Sequence, residues 1–233
     1  NDLNHPTSDA HYVKGTSTLY GDDGQVRMQW VKTDAKAQEA IETVRQIAEE
    51  LKAEIPKHAP TPPPRHGYKE LLNTYVVTDY HLGLMAWGEE TRDEDWNLEK
   101  AEDLLIKWFS NAIQLSPVAE TAIFAQLGDF LHWDGLEALT PTSKHSLDAS
   151  DRYQNMLRVS MRCIKKITYM LLEKYQKVHL VMSEGNHDPA SSAGLREMFD
   201  FYFEDEPRIT VDIDSDPYYC VEHGDTSLFF HHG

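Results

Sequence analysis

The sequence is poor in cysteine, in net basic charge and in long apolar runs. Its 233 residues hold two cysteines, Cys163 and Cys220, and no Cys-x-x-Cys spacing. Both read as buried free thiols of a reducing compartment, and a cytoplasmic location is expected. Lysine and arginine number 22 against 39 aspartates and glutamates, a formal charge of −17 with a sequence pI near 5.0. That balance argues against a broad basic groove for duplex DNA. It leaves a nucleic-acid substrate open, because bound divalent cations cancel carboxylate charge locally. No stretch reaches transmembrane length and no signal-peptide pattern opens the chain, so no membrane is expected. There is no internal repeat, and the first residue is Asn rather than Met, as in a processed or truncated chain.

The length fits one domain with an appendage. Thr16–Tyr20 and Val26–Val31, joined by the turn chemistry of Gly21-Asp22-Asp23-Gly24, predict a hairpin. A helix is expected from Asp34 to Ile55, with Ala37, Ile41, Val44, Ala48, Leu51 and Ile55 on one stripe. Docking on the chain's own core explains that stripe better than a coiled coil; a homodimer through this helix is the alternative. Thr61-Pro62-Pro63-Pro64 reads as a stiff spacer. The domains expected are residues 1–55, a hairpin with an amphipathic helix; 56–67, a Pro-rich linker; and 68–233, the main domain.

From there strands and helices alternate, which predicts an α/β sheet. Strands are expected at Leu71–Thr78, Ala122–Leu127 and Val178–Met182, and helices at Trp96–Leu115 and Ser150–Tyr175. The first helix is expected to bury Ala101, Leu104, Leu105, Trp108, Phe109 and Ala112. The second is expected to bury Met156, Ser160, Cys163, Ile164, Ile167, Leu171 and Tyr175. Three later strand-like runs, Arg208–Val211, Tyr218–Val221 and Ser227–Phe230, suggest a second sheet beside the first.

Four of these strands end in metal-type ligands. Asp79 and His81 follow the first, Asp129 the second, Asn186, His187 and Asp188 the third, and His231 and His232 the last. Residues two apart on an extended strand point to the same side, so Asp79 and His81 are expected to reach one ion. Each site taken alone reads more readily as an Asx turn, a cap or, for the terminal His pair, a solvent-facing side chain. Their recurrence at successive strand ends, where open α/β sheets bind ligands, points to one centre. A mixed nitrogen and oxygen set suits Mn, Fe, Zn or Co better than Mg or Ca alone.

These residues resemble the calcineurin-like metallophosphoesterases. That signature runs Asp-x-His, Gly-Asp, Gly-Asn-His-Asp/Glu, His-Gly and Gly-His-x-His. Asp79-Tyr80-His81, Gly128-Asp129, Gly185-Asn186-His187-Asp188 and His232-Gly233 fill the first four in order. Asp79 to Gly83 and Gly128 to His132 are similar to the DNA-repair exonuclease branch, and Gly128 to Pro141 to phosphoesterases predicted in phage genomes. The Gly-His-x-His motif is absent from these 233 residues, so a fragment or an incomplete site is expected. Where many phosphatase members carry Asp or Asn three residues after Gly-Asp, this chain has His132, which favours the nuclease-like branch.

The resemblance implies a β-sandwich of mixed sheets flanked by helices, here C-terminally truncated. It implies a two-metal site, with Mn foremost and Fe, Zn, Co or Mg as alternatives. Asp79 and His81 would hold one ion, Asn186 and His232 the other, and Asp129 would bridge. An activated hydroxide would attack the phosphoryl group in line. His187 would act as general acid, oriented by Asp188, and His132 would contact the substrate phosphate. His231 is the alternative to His232. The expected function is hydrolysis of phosphodiesters, nucleic acid foremost, with Trp87, Trp96 and Trp133 as candidates to stack on bases. The alternatives are a phosphomonoesterase or nucleotide phosphatase, and a metal-binding interaction protein without turnover.

Overall fold

The computed structural model describes residues 12–21, 24–34, 62–64 and 66–233. The chain divides into two compact units, Asn1–Glu50 and Leu51–Gly233. In the first, β1 (Tyr12–Tyr20) and β2 (Val26–Asp34) form an antiparallel hairpin with register shifts at Val13/Gly15 and Leu19/Tyr20. Most of the helix expected from Asp34 to Ile55, and with it the dimer expectation, lies outside the described residues.

The second unit is α/β. Its strands β3 (Tyr68–Val77), β4 (Ala119–Leu127), β5 (Lys177–Ser183) and β6 (Ile209–Val211) form one four-stranded parallel sheet in that order. Between them come α1 (Gly88–Thr91), α2 (Leu98–Leu115), α3 (Tyr153–Lys174) and α4 (Pro189–Tyr202). A separate two-stranded antiparallel sheet follows, β7 (Tyr219–His223) with β8 (Thr226–Phe230). The first of the late runs, at 208–211, thus joins the parallel sheet as β6 instead of the second sheet. It pairs Ile209, Thr210 and Val211 with Val178, His179 and Leu180.

Strand β4 is central and buried almost throughout, as a parallel strand covered on both faces must be. One face meets the helices: Phe124 packs edge-on against Phe109 of α2, ring centroids 5.0 Å apart. The other face meets the β7–β8 pair, where Ile123, Ala125 and Val181 form a cluster with Tyr219 and Phe230. Helix α2 is capped by Asn97, whose side chain accepts from the Lys100 amide at 3.0 Å. Its buried stripe is Leu98, Ala101, Leu105, Phe109 and Ile113. Leu104 and Trp108, expected inside, are 51% and 45% exposed. The expected inner face of α3 is buried throughout, from Met156 to Tyr175. Cys163 lies within it, whereas Cys220 on β7 is exposed. Among the described residues no helix is long and apolar enough to cross a membrane.

Register sets the ends of the three long strands level. Val77, Gln126 and Met182 lie side by side. The segments that leave β3, β4 and β5 therefore emerge together at one edge of the sheet.

Candidate metal centre

Beyond their strands, the first two segments stay stitched by their backbones. The Asp79 amide donates to the Gly128 carbonyl at 3.1 Å, His81 to Asp129 at 2.9 Å, and Leu82 to Phe130 at 2.8 Å. Tyr80, between the two candidate ligands, turns to the helix layer and donates its hydroxyl to the Ala101 carbonyl at 2.5 Å. Asp79 and His81 lie past the end of β3, with φ of 50° and 48°, so the extended-strand argument for their pairing fails. They converge by another route. Both adopt the left-handed backbone, as does Asp129 at φ 50°. Each such non-glycine residue costs about 1–2 kcal/mol. One ligand atom from each of these three residues lies within 4.8 Å of the others.

The third segment is tied to the second through side chains. The Asp129 carboxylate accepts the His187 amide at 2.8 Å. The Asp188 carboxylate, fully buried, accepts the amides of Asp129 at 3.1 Å, Leu131 at 2.9 Å and Gly185 at 3.2 Å. Asp188 is expected behind His187 as its orienting partner; the structure gives that place to the His132 carbonyl, 2.7 Å from His187 Nδ1. Asp188 instead holds two loops together. Burial, with Asp129 nearby, raises its carboxyl to about 6 despite the amides that favour the charged form.

Glycines permit this approach. A Cβ on Gly185 would stand 2.0 Å from Asp129 Oδ1 and 2.1 Å from its amide nitrogen. Gly128, at φ +92°, would set a Cβ 2.6 Å from His232 Nδ1 and 2.8 Å from the Gly185 Cα. Gly185 is therefore needed for clearance.

The last segment brings in His232. Its Nδ1 lies 2.7 Å from the Leu127 carbonyl, so that nitrogen carries the proton. In the neutral ring Nε2 is then a lone pair, 3.2 Å from Asn186 Oδ1 and 3.6 Å from Asp129 Oδ1. Three acceptor atoms facing one another call for an imidazolium or a cation; turning the Asn186 amide over would satisfy only His232. His231 points elsewhere and stacks on Tyr218 at 4.3 Å. The donors form two sets that share Asp129: Asp79 with His81 on one side, Asn186 with His232 on the other. Their mixed oxygen and nitrogen chemistry fits divalent metal ions.

His132 is 5% exposed and lies beside the candidate ligands, off the open surface where a phosphate contact is expected. Its Nδ1 is 3.4 Å from His81 Nδ1, and its Nε2 has no partner. Burial pushes its imidazole down to about 4, with His81 and His187 adding to the effect. Burial also lowers His81, with His187 next in effect, against the pull of Asp129 and Asp79. Of the candidate stacking aromatics, Trp133 is buried and Trp87 is 54% exposed.

Two supporting residues escape the sequence reading. Asp134 accepts the Ala190 and Ser191 amides at 2.7 and 3.0 Å, capping α4 from another loop. Arg196, 5% exposed, donates to the Met182 carbonyl, the Tyr219 hydroxyl and Glu184 at 3.1, 2.6 and 2.6 Å. It thereby joins α4, β5 and the hairpin that leads to His232. Asp134 lies within the Gly128–Pro141 run but has no role of its own there, and Arg196 belongs to no motif.

No family model, curated protein or solved structure matches the chain.

Proposed function

We propose that the chain is a dinuclear metal-dependent phosphoesterase of the calcineurin-like type, with that family's sandwich fold, acting on phosphodiesters and foremost on nucleic acid. One observation carries the reading. Of the five described non-glycine residues at positive φ, three are Asp79, His81 and Asp129, and they gather at one point. Backbone strain concentrated on three convergent ligand-type side chains is characteristic of a built site.

Asp79 and His81 would hold one ion, Asn186 and His232 the other, and Asp129 would serve both. Two such ions, with Mn the best match to this donor set, lower the pKa of bound water and neutralise charge on phosphoryl oxygens. The protein's own part is positional. The His132 carbonyl fixes a proton on His187 Nδ1 and leaves Nε2 as the working atom. With Nδ1–H held by that carbonyl, a proton on Nε2 would pass to a leaving oxygen. Asp188 keeps the loop carrying Asn186 and His187 pressed on the loop carrying Asp129.

The test is an assay with Mn²⁺ on bis-p-nitrophenyl phosphate, its monoester, and labelled single- and double-stranded DNA. Metal-dependent cleavage of the diester and of DNA is expected, with His187→Ala lowered about 10²–10⁴-fold, the usual worth of a proton donor. Cleavage of the monoester alone would replace the diesterase reading with a phosphatase. No metal-dependent turnover on any of them would leave a metal-binding interaction protein.

A further inference from the structure

We propose that His81, His132 and His187 form a nitrogen-only site for a single zinc-class divalent ion, which competes for His81 with the carboxylate-containing site and silences His187. The inhibitory consequence rests on the phosphoesterase reading; the binding site does not.

The three side chains come from the segments after β3, β4 and β5, and one ligand atom of each lies within 4.8 Å of the others. Their rings lie against one another. His81 and His187 meet edge to face with centroids 4.6 Å apart, His81 and His132 at 5.3 Å, and His132 and His187 at 5.7 Å. The nitrogens are chemically ready. His187 Nδ1 is committed to a backbone carbonyl, so the neutral ring offers its Nε2 lone pair. His132 Nε2 has no hydrogen-bond partner, and with the ring proton there Nδ1, the atom that faces His81, is a lone pair. The 3.4 Å between the Nδ1 atoms of His81 and His132 is long for a hydrogen bond. It matches the separation of about 3.3–3.4 Å that two nitrogens subtend at a tetrahedral zinc ion with bonds of about 2.0–2.1 Å.

The two sets differ in what they prefer. Imidazoles alone favour Zn, Cu or Ni, and three of them with one open position are a standard zinc arrangement. Asp79, Asp129 and Asn186 add the oxygens that suit Mn. Because His81 belongs to both sets, filling the nitrogen-only site removes it from the other. An ion on His187 Nε2 also occupies the atom that would otherwise face the leaving oxygen. The same protein would thus be supported by one class of ion and blocked by another.

The test is a titration of the full chain with Co²⁺, followed by visible absorption. Tetrahedral cobalt with nitrogen ligands gives strong bands, and six-coordinate oxygen-rich cobalt gives weak ones. We expect a strong band that saturates at one ion per chain and is displaced by Zn²⁺. It should be lost in His132→Ala and in His187→Ala, and retained in Asp79→Asn and Asn186→Ala. Near-UV circular dichroism shows whether His132→Ala, at a buried position, still folds; His187, half exposed, decides the matter if it does not. A band of unchanged strength in a folded His187→Ala overturns the proposal, as does the absence of any strong band in the wild type. In parallel, excess Zn²⁺ should suppress Mn²⁺-supported hydrolysis. If no hydrolysis occurs with any ion, the phosphoesterase reading fails, and the cobalt band still decides whether the nitrogen-only site exists.

Discussion

Asp188 and Asp129 clasp each other's loops. The Asp188 carboxylate accepts the Asp129 amide at 3.1 Å, while the Asp129 carboxylate accepts the amide of His187, next to Asp188, at 2.8 Å. Two carboxylates stay close because each is also a backbone anchor, and a cation at Asp129 would relieve their repulsion. Asp188→Asn turns an NH₂ group against a backbone N–H, because both carboxylate oxygens are in use. A buried donor left unsatisfied costs about 1–3 kcal/mol. Urea denaturation at pH 7 should show a loss of that size. Calorimetry should show Mn²⁺ affinity lowered by about 10–100-fold, as for other residues that position a metal ligand.

Clearance at Gly185 gives a sharper prediction. Gly185→Ala drives a methyl group into Asp129, since the nearest atoms are its Oδ1 and amide nitrogen at 2.0 and 2.1 Å. Forcing the loops apart should cost about 1–3 kcal/mol or more and weaken Mn²⁺ binding together with stability. Gly194→Ala is the control. It lies in α4 with nothing within 4 Å of an added Cβ, so it should be neutral or stabilise by up to about 1 kcal/mol.

Acid stability of the metal-free protein should expose His132. Its folded imidazole is pushed down to about 4 from an ordinary 6.5. Between those values the unfolded chain takes up a proton that the fold refuses, so this group's contribution is lost as pH falls from about 6.5 to about 4. Asp188 works in the opposite direction. It is raised to about 6 from 3.8, and its contribution grows as pH falls through that window. Each is worth roughly 3 kcal/mol, so wild type should change little on account of these two groups between pH 6 and 4. Relative to wild type, His132→Gln should gain stability as pH falls from 6.5 to 4. Urea midpoints at four pH values suffice, and parallel profiles would refute the assignment.

Arg196 should matter far beyond its helix. Arg196→Met leaves the Tyr219 hydroxyl and the Glu184 carboxylate without their donor. Removing one partner of a buried pair costs about 3–5 kcal/mol. The low end is expected here, because Glu184 keeps 33% of its side chain exposed. Since Arg196 ties the Tyr219 strand to β5, His232 should be less well placed and Mn²⁺ affinity should fall too, which calorimetry would detect.

Much of the centre could be read in the sequence because its parts are local. Apolar runs break at Gly128-Asp129 and at Gly185-Asn186-His187-Asp188, and parallel strands then bring their ends to one edge. What could not be read depends on long-range geometry. Leu104 and Trp108 form an apolar stripe beside the one α2 buries, and nothing local says which stripe meets the sheet. The three-residue β6 finds its partner across α4, so its strand-like run gave no hint of which sheet it would join. The left-handed turns at Asp79 and His81 have no glycine to mark them, so a straight strand looked sufficient. The meeting of His132 with His81 is a contact between residues 51 apart, set by the backbone stitching of two loops.

The proposed two-ion centre turns on Asp129, which would join the two donor sets. Counting bound Mn²⁺ by calorimetry, with elemental analysis of the dialysed protein, tests it most directly on wild type and Asp129→Asn. Two ions per wild-type chain are expected, and no more than one, weakly held, in Asp129→Asn of unchanged fold. Wild type that binds no Mn²⁺, or Asp129→Asn that binds two as wild type does, would contradict it.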